Sequence, residues 1–368
     1  MSHFHIIIAG AGCAGLSLLT RLLQSGRFSD KRILLVDKAS KTANDRTWCF
    51  WEKGEGFFEP IVYKSWDHLW LHAPGYSQLH DIRPYRYKMI RGQDFYQYCF
   101  NIIARHKNVT VEYGIIENIS SNTVSIGAYY HTADFVFNSI LFEKPRLKNN
   151  QYYLLQHFKG WVIETTRPAF DPRQATLMDF RINQQGGTSF VYVMPFTETR
   201  ALVEYTVFSE KLLDDYDKVL EDYIHVDFTI IEVEFGVIPM TNYPFQPADG
   251  NTVNIGTAGG QTKASSGYTF RFIQKQSQLL VNNLVQHGTP FPLVKQPRRF
   301  RWYDGTLLNI LYHNKLPGAY IFTELFKNNR ATDVLKFLDN ETTVMEEMKI
   351  IGVLPKKVFI GAALQQLW

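Results

Sequence analysis

The sequence predicts an α/β protein with a Rossmann-like dinucleotide-binding domain, an inserted and mostly antiparallel β domain, and a helical C-terminal region. Two strand-turn-helix patterns, at residues 5–20 and 252–283, predict the dinucleotide-binding domain. The segment between residues 151 and 238 is dense in strand-like alternation, which predicts the inserted domain. With 368 residues, of which 45% are hydrophobic, the chain is long enough to bury the cores that this architecture needs.

The first pattern is an apolar strand at residues 5–9 that runs into the spacing G-x-G-x-x-G. In such a turn Gly10 permits the tight bend, Gly12 lets a pyrophosphate approach the backbone, and Gly15 lets the helix pack closely on the strand. The next apolar strand ends in Asp37, where a carboxylate binds the ribose hydroxyls of an adenine dinucleotide. This unit predicts a site for FAD or NAD.

The middle of the chain alternates between helical and strand-like patterns. Residues 92–106 have helical apolar spacing, and residues 133–137 form a strand that we expect to return to the nucleotide-binding sheet. Further strand-like stretches are residues 109–113, 123–130, 151–163, 175–182, 189–208 and 229–238. The last four predict a substrate domain inserted between the two parts of the dinucleotide-binding domain.

The second strand-turn-helix pattern begins with an apolar strand at residues 252–260 and continues into a helix that extends through Asn283. Flavoproteins with two dinucleotide-binding domains use such a late element to place backbone N–H groups and a helix N-terminus against the flavin ribityl chain and pyrophosphate. NAD dehydrogenases do not need this element, so it favours FAD. The predicted cofactor-binding residues are Gly10, Ala11, Gly12, Cys13, Ala14, Gly15, Asp37, Gly256, Gly259 and Gly260.

These patterns predict four segments of domain structure. Residues 1–140 and 251–285 form the two parts of a discontinuous FAD-binding domain, and residues 141–250 form the substrate-binding β-sheet domain. Residues 286–368 form a helical region whose basic and aromatic end, residues 356–368, predicts docking to a membrane interface. An ordinary pair of core helices is the alternative for the two apolar helical stretches of this region.

Composition argues against several classes of protein. The net charge of +4 is too small, and Lys and Arg are too scattered, for a nucleic-acid-binding surface. The three cysteines lie far apart in the sequence, which argues against a disulfide framework or a zinc site and favours a reducing compartment. His68 and His72 lie in strand-like alternation and are expected to be sheet residues, so no metal site is predicted. No basic region precedes the N-terminal apolar run, so we expect no signal peptide.

Several motifs agree in order along nearly the whole chain. They are residues 44–48 (NDRTW), 51–52 (WE), 177–181 (LMDFR), 194–196 (MPF), 199–206 (TRALVEYT), 236–240 (GVIPM), 256–270 and 326–339. This ordered set resembles the bacterial FAD-dependent lycopene β-cyclases. The resemblance implies a flavoprotein with two dinucleotide-binding domains that cyclises the linear ψ-ends of lycopene to β-ionone rings, through γ-carotene to β-carotene, without net redox change. It also implies reduced FAD as the active cofactor and NAD(P)H as the reductant.

The same resemblance implies partners and a location. The implied substrates are lycopene and related acyclic or monocyclic carotenes, and the implied partners are a membrane surface and other enzymes of carotenoid synthesis. Since lycopene is insoluble in water, we expect a cytoplasmic protein that associates peripherally with the inner face of the cytoplasmic membrane. Two alternatives are an FAD-dependent monooxygenase or prenyl reductase, which would consume NAD(P)H stoichiometrically, and a non-enzymatic carrier of prenyl lipids.

The implied reaction passes through a carbocation, so it needs an acid, a base and an aromatic pocket without water. Desolvation raises the pKa of a carboxyl group, so a buried glutamate keeps its proton near neutral pH. Glu204 is the predicted proton-handling carboxylate, because strand alternation places it on one face with Leu202 and Phe208, and the family's functional acid lies at the matching position. An edge-strand glutamate paired with Arg200 is the alternative from the pattern alone.

A second carboxylate is expected outside this motif. Relatives often carry another acid directly after the functional glutamate, where this chain has Tyr205. Asp179, which interrupts another apolar strand, is the predicted catalytic partner. An ion pair of Asp179 with Arg181 or Arg173 is the structural alternative.

Three further residues, Asp45, Arg46 and Trp48, follow the ribose-binding strand. The resemblance implies that they contribute to the cofactor and substrate region, and a structural clamp of Arg46 on Asp45 is the alternative. Ala264 stands where relatives usually have proline, which loosens the turn of the late element at a cost typically under ~1 kcal/mol.

Overall fold

The computed structural model describes residues 2–184, 186–293 and 297–366. Within these ranges the chain forms three β-sheets, and its helices are concentrated in the C-terminal third. The strands are β1 (Ser2–Ala9), β2 (Ile33–Asp37), β3 (Thr47–Lys53), β4 (Lys64–Trp66), β5 (His68–Ala73), β6 (Tyr76–Asp81), β7 (Tyr85–Arg91), β8 (Val109–Tyr113), β9 (Ile116–Ser120), β10 (Thr123–Ile126), β11 (Tyr129–Asn138), β12 (Tyr153–Thr165), β13 (Gln174–Asp179), β14 (Thr188–Pro195), β15 (Arg200–Ser209), β16 (Phe228–Thr241), β17 (Ala248–Asp249) and β18 (Thr252–Asn254). The helices are α1 (Cys13–Gln24), α2 (Gly92–Ile103), α3 (Asp217–Tyr223), α4 (Phe270–His287), α5 (Arg298–Tyr312), α6 (Gly318–Asn328), α7 (Ala331–Leu338), α8 (Val344–Ile351) and α9 (Lys356–Leu364), with a short 3₁₀ helix at Glu59–Ile61.

The first sheet carries the predicted nucleotide-binding unit. Its strand order is β17-β18-β11-β1-β2-β8, in which the strands from β18 to β8 run parallel. One face packs against α1, α2 and α4, and the antiparallel β9–β10 hairpin covers part of the other face. The pairing of β11 with β1 confirms that residues 133–137 return the chain to this sheet. The parallel order brings the turns that follow β1, β2, β11 and β18 to one edge.

The second sheet is mostly antiparallel, with the order β16-β12-β15-β14-β13-β5-β6. The four predicted stretches of the substrate domain form its strands β12 to β16. Helices α5, α6 and α7 pack on one face, and α3 packs on the other. Residues 68–81, which include His68 and His72, supply β5 and β6 from the first 140 residues of the chain. The predicted domain limits, which assign residues 1–140 to the FAD-binding domain, do not anticipate that this segment supplies strands of the second sheet. The limits themselves stay a prediction.

The small third sheet, in the order β3-β7-β4, lies between the other two. On β3, Phe50 stacks on Phe270 at the start of α4, with 4.3 Å between ring centroids. The neighbouring Cys49 donates its S–H to the Met194 sulfur of β14 at 3.2 Å. Strand β3 therefore contacts both the nucleotide-binding unit and the second sheet.

Two predicted strands are shorter in the structure. Residues 123–130 are interrupted at Gly127, whose φ of +56° turns the chain, so that β10 and β11 form a hairpin. Of residues 252–260, Thr252–Asn254 form β18, and the remainder forms turns in which the N–H of Gly259 bonds to the carbonyl of Ile255 at 3.2 Å.

The C-terminal region is helical, as predicted. The apolar stretches at residues 307–312 and 319–326 lie in α5 and α6, and most of their apolar side chains are buried against the second sheet. These two helices are therefore core helices, which was the alternative given above. Among the described residues, no helix has both the length and the apolar character needed to cross a membrane.

Candidate active site

A cavity of about 470 Å³ has walls from the second and third sheets and from the turns at the edge of the first sheet. The walls come from the glycine turn at residues 12–14, residues 45–49 at the start of β3, the second sheet, and residues 256–257 and 266–270 of the late element. Glu204 is one of the side chains that the second sheet contributes. The predicted nucleotide-binding turn and the predicted catalytic carboxyl therefore share one cavity.

The glycine turn brings β1 and α1 into direct contact. A Cβ atom at Gly15 would lie 1.9 Å from the carbonyl oxygen of Gly10, so only glycine allows the helix to approach the strand this closely. Gly12 differs, because a Cβ atom there would have no protein atom within 4 Å. Gly12, Cys13 and Ala14 line the cavity, and the other three predicted residues of the turn do not.

The N-terminus of α1 lies at this cavity. No side chain caps its first N–H groups, and its first turn contains no acidic residue. Uncapped N–H groups and the positive end of a helix dipole bind phosphate groups. Together with the open space at Gly12, this helix end fits the pyrophosphate of a dinucleotide.

Asp37 ends β2, as predicted, and is almost completely buried. One carboxylate oxygen accepts the N–H of Ala11 at 2.7 Å. The other accepts the N–H of Ala39 at 3.2 Å and pairs with the Lys41 ammonium at 3.1 Å. These contacts hold the glycine turn against the end of β2. Asp37 does not line the cavity, so its role toward a ribose stays a prediction.

The late element contributes fewer of its glycines than predicted. Gly256 lines the cavity beside Ala14, and a Cβ atom at Gly256 would lie 2.8 Å from the Cβ atom of Ala14. Gly259 and Gly260 lie in the following turn and do not line the cavity. Helix α4 begins at Phe270, again without a side-chain cap, so a second uncapped helix N-terminus lies at the same cavity.

The motif residues Asp45, Arg46 and Trp48 all line the cavity. The Arg46 guanidinium pairs with the Asp45 carboxylate at 3.1 Å, and the Tyr96 hydroxyl donates to the same carboxylate at 2.9 Å. Trp48 packs against Phe270, with 6.3 Å between ring centroids. The clamp between Arg46 and Asp45 thus exists, and both residues also face the cavity.

Glu204 lies near the middle of β15 and is 8% exposed. The Thr206 hydroxyl donates to its Oε1 atom at 2.8 Å. Arg200 is not its partner, because the Arg200 guanidinium lies 3.9 Å from the carboxylate of Glu232. Burial, together with the carboxyl group of Glu234, raises the pKa of Glu204 well above its usual range, because both disfavour the charged form. A raised pKa favours the protonated carboxyl group, which is the form that can donate a proton.

Glu234, on the edge strand β16, lies on the same face as Glu204. The register pairs both glutamates with Gly160 of the intervening strand β12. A Cβ atom at Gly160 would lie 3.0 Å from Cγ of Glu234, so the glycine leaves room for the Glu234 side chain to lie across β12. The Thr47 hydroxyl donates to Oε2 of Glu234 at 2.8 Å. Burial raises the pKa of Glu234 as well, and each carboxyl group shifts the pKa of the other.

Asp179, the predicted partner of Glu204, lies on the opposite face of the second sheet. Asp179 pairs in register with Val191, and Val191 pairs with Tyr205, the residue next to Glu204. Adjacent residues of a strand point to opposite faces, so the sheet separates the two carboxyl groups.

The surroundings of Asp179 are those of a structural ion pair. Its fully buried carboxylate accepts hydrogen bonds from the Arg181 guanidinium at 2.9 and 2.6 Å and from the Tyr223 hydroxyl at 2.9 Å. Burial acts to raise the pKa of Asp179, but these hydrogen bonds outweigh it and hold the pKa below its usual range. The structure therefore corrects the expected pair: the carboxyl group beside Glu204 belongs to Glu234.

Three tyrosines lie beside Glu204. The Tyr268 hydroxyl is 3.2 Å from that of Tyr87 and 3.5 Å from that of Tyr192. Burial raises the pKa of all three, so they are neutral at physiological pH. Trp51 packs edge-on against Tyr268, with 4.5 Å between ring centroids. Aromatic faces attract cations, so this wall suits a cationic intermediate.

Five residues of the site are not among those predicted: Tyr87, Gly160, Tyr192, Glu234 and Tyr268. Gly160 carries a readable signal, since a glycine inside a strand often marks a close approach. Glu234 has the same signal as Glu204, an acid in an apolar strand, but so does Glu232, two residues earlier on the same face. Only the fold distinguishes them, because Glu234 is buried whereas the Glu232 side chain is 38% exposed.

Comparison with known sequences identifies relatives. The family model described as "Lycopene cyclase protein" matches residues 5–363. The lycopene beta-cyclase of a Paracoccus strain is 46% identical over 55 residues, which are 15% of this chain and 14% of that protein. The lycopene beta-cyclase of Pantoea ananas is 26% identical over 216 residues, which are 55% of this chain and 52% of that protein. The matched segments thus span about half or less of these relatives.

Solved structures share the fold. A geranylgeranyl bacteriochlorophyll reductase-like protein from Thermoplasma acidophilum superposes with a TM-score of 0.63 at 11% identity, over 99% of this chain and 100% of that one. A flavoprotein/dehydrogenase from Cytophaga hutchinsonii superposes with a TM-score of 0.59 at 12% identity, over 99% of each chain. These likenesses confirm the predicted fold class. Because the family match runs from the first strand to the last helix and includes the whole cavity, the protein belongs to the lycopene cyclase family.

Proposed function

We propose that this protein is a lycopene β-cyclase, which converts the linear ψ-ends of lycopene to β-ionone rings, through γ-carotene to β-carotene, without net redox change. The observation that carries the proposal is a buried carboxyl group, Glu204, in the same cavity as the glycine turn of a nucleotide-binding fold. The names of the two curated relatives, both lycopene beta-cyclases, support the substrate.

The resident cofactor in this proposal is FAD, with NAD(P)H as its reductant. The backbone at residues 12–14 would hold the pyrophosphate, Asp37 the ribose, and the backbone at Gly256 the ribityl chain. When bound and reduced, FAD supplies an electron-rich ring to a reaction that passes through a carbocation.

Glu204 supplies the initiating proton. Its O–H bond breaks, a C–H bond forms at the terminal double bond of a ψ-end, and a tertiary carbocation results. The neighbouring double bond attacks the cation and closes the ring, and transfer of a ring proton to the Glu204 carboxylate completes the β-ionone ring and restores the O–H bond. The faces of Tyr192 and Tyr268 stabilise the cation, each contact contributing ~0.5–2 kcal/mol. The buried side chains beside Glu204, which include Tyr87, Tyr192 and Met194, keep water from the cation, which it would otherwise capture.

The proposed substrates are lycopene and related acyclic or monocyclic carotenes, and the proposed location is the inner face of the cytoplasmic membrane. A hydrocarbon substrate resides in the bilayer, so a peripheral enzyme must contact it there. Helices α8 and α9 support this location with the exposed apolar side chains of Met345, Met348, Ile360 and Leu364. Other enzymes of carotenoid synthesis would meet the protein at the same surface.

Pigment analysis tests the proposal. Wild type, Glu204→Gln and Glu221→Gln are expressed in a lycopene-accumulating bacterial host, and the carotenes are separated by chromatography and weighed by mass spectrometry. We expect cyclic products of unchanged mass from the wild type and from Glu221→Gln, whose side chain is exposed on α3, and none from Glu204→Gln. Unchanged lycopene beside folded, flavin-loaded wild type would refute the substrate. A product of altered mass with stoichiometric NAD(P)H consumption would support a monooxygenase or prenyl reductase.

A further inference from the structure

The reaction proposed above uses one carboxyl group, whereas the second sheet presents two on the same face, on either side of Gly160. Glu204 and Glu234 are each 8% exposed and flank Gly160 on the face that lines the cavity. A Cβ atom at Gly160 would lie 3.2 Å from Oε1 of Glu234, so Glu234 reaches toward Glu204 over a position that has no side chain. Two carboxylates this close, with little water to screen them, cannot both stay ionised at low cost.

One buried oxygen atom of the two carboxyl groups lacks a hydrogen-bond donor. The Thr206 hydroxyl satisfies Oε1 of Glu204, and the Thr47 hydroxyl satisfies Oε2 of Glu234, each at 2.8 Å. Oε1 of Glu234 is buried, and no N–H or hydroxyl group of the described residues donates to it. A proton on Glu204 is a donor that can satisfy this oxygen atom, because Glu234 reaches over Gly160, the residue that pairs with both glutamates in the register.

We propose that Glu204 and Glu234 hold one proton between them and act as a single acid–base unit, which gives the proton that starts each cyclisation and takes back the proton that ends it. This inference rests on the proposed function and names a second carboxyl group for it. The sequence of events balances without any further reactant. An O–H bond of the pair breaks as the terminal C–H bond forms, and the ring C–H bond later breaks as the O–H bond of the pair forms again.

The pair changes its chemical character during the reaction. With its proton it is an acid, whose donor Glu204 lines the cavity. After proton transfer it carries two negative charges beside the carbocation, so it stabilises the cation and becomes a stronger base. A single carboxyl group would lack the repulsion that drives the proton back. Glu234 thus accounts for the return step, and Gly160 and Thr47 position it.

The neighbouring titratable side chains do not change their charge near pH 7, so they do not interfere with the titration of Glu204 and Glu234. Burial raises the pKa of Cys49 on β3, Tyr192 on β14 and Tyr268 before α4, so these groups are neutral around pH 7. The charged neighbours are Arg46, before β3, and Glu232, on β16. A shift of the alkaline limb of the pH–rate profile on substitution therefore reports on Glu204 and Glu234.

The pH dependence of cyclisation by purified, flavin-loaded protein tests this inference, with lycopene in detergent micelles as substrate. In Glu234→Gln the repulsion is gone, so the pKa of Glu204 falls. The alkaline limb of the profile then moves to lower pH by about one unit, and the rate above the wild-type midpoint falls roughly tenfold. In Thr47→Val the Glu234 carboxylate loses a donor, so the pair holds its last proton more tightly and the limb moves to higher pH.

Shifts in opposite directions are the expected result, because a merely structural role would not produce them. Glu221→Gln serves as the control, with an unchanged profile. Flavin content and thermal unfolding establish that each variant is folded. If Glu234→Gln does not fold, the shift of the alkaline limb to higher pH in Thr47→Val tests the inference by itself. Unchanged pH profiles, or shifts in the same direction, would refute the shared proton. The proposed function would stand in that case, provided that the wild type cyclises lycopene. A wild type that does not cyclise lycopene overturns both the proposed function and this inference.

Discussion

Replacing Gly12 by alanine separates the needs of the fold from those of a bound cofactor. Gly12 has φ −85° and ψ −169°, a conformation that alanine adopts readily, and the added Cβ atom would have no protein atom within 4 Å. Loss of glycine at this helix N-cap costs about 0.5–1 kcal/mol. We therefore expect the apo-protein to melt within about 2–4 °C of the wild type.

The same methyl group fills the space through which a pyrophosphate would approach the backbone. We expect the affinity for FAD to fall at least about tenfold, which corresponds to about 1.4 kcal/mol. Titration of apo-protein with FAD, followed by flavin fluorescence, gives the affinity, and thermal unfolding of the same apo-protein gives the stability.

Gly15→Ala is the matched control. Its Cβ atom would lie 1.9 Å from the carbonyl oxygen of Gly10, so α1 must move away from β1 and the apo-protein itself should lose stability. Wild-type FAD affinity in Gly12→Ala would refute the assignment of this turn to the pyrophosphate. A strongly destabilised Gly12→Ala apo-protein would refute the claim that the position is open to the fold.

Two further substitutions test the electrostatic interpretation of buried acids. Asp179→Asn weakens the ion pair with Arg181, so we expect it to lower the free energy of unfolding by about 1–3 kcal/mol in urea titrations. Carotene cyclisation should continue. Loss of cyclisation in a folded variant would show that Asp179 takes part in the reaction. Burial raises the pKa of Asp339 from 3.8 to about 6, so the protonated form stabilises the fold, and this contribution is lost as the pH rises from about 4 to 6. Asp339→Asn should therefore gain roughly 1–3 kcal/mol over the wild type between pH 4 and pH 7, and a difference that does not vary with pH would contradict this reasoning.

Much of the nucleotide-binding unit is predictable because its parts are close in the sequence. The turn from Gly10 to Gly15 joins β1 directly to α1, and the need for glycine at position 15 follows from its close approach to the nearby carbonyl oxygen of Gly10. Asp37 ends the next strand at the same sheet edge. The face of Glu204 is equally local, because alternation along one strand determines which neighbours share its side.

The partner of Glu204 depends on contacts between strands that the sequence does not specify. Alternation relates residues within β13 or within β15, but only the register between strands shows which face of one matches which face of the other. A register irregularity between Thr176 and Asp179, together with the pairing of Asp179 with Val191, places that carboxylate across the sheet from Glu204. No pattern along a single strand reveals this separation.

The sequence by itself therefore determined the glycine turn, the strand-helix order and an acid in an apolar strand. The tertiary structure alone decided that Glu234, thirty residues after Glu204, meets it above Gly160, and that Asp179 does not. The physical reason is the range of the interactions. Backbone propensity and alternation act over a few residues, whereas the burial and pairing that raise the pKa of a carboxyl group come from chain segments that only folding brings together.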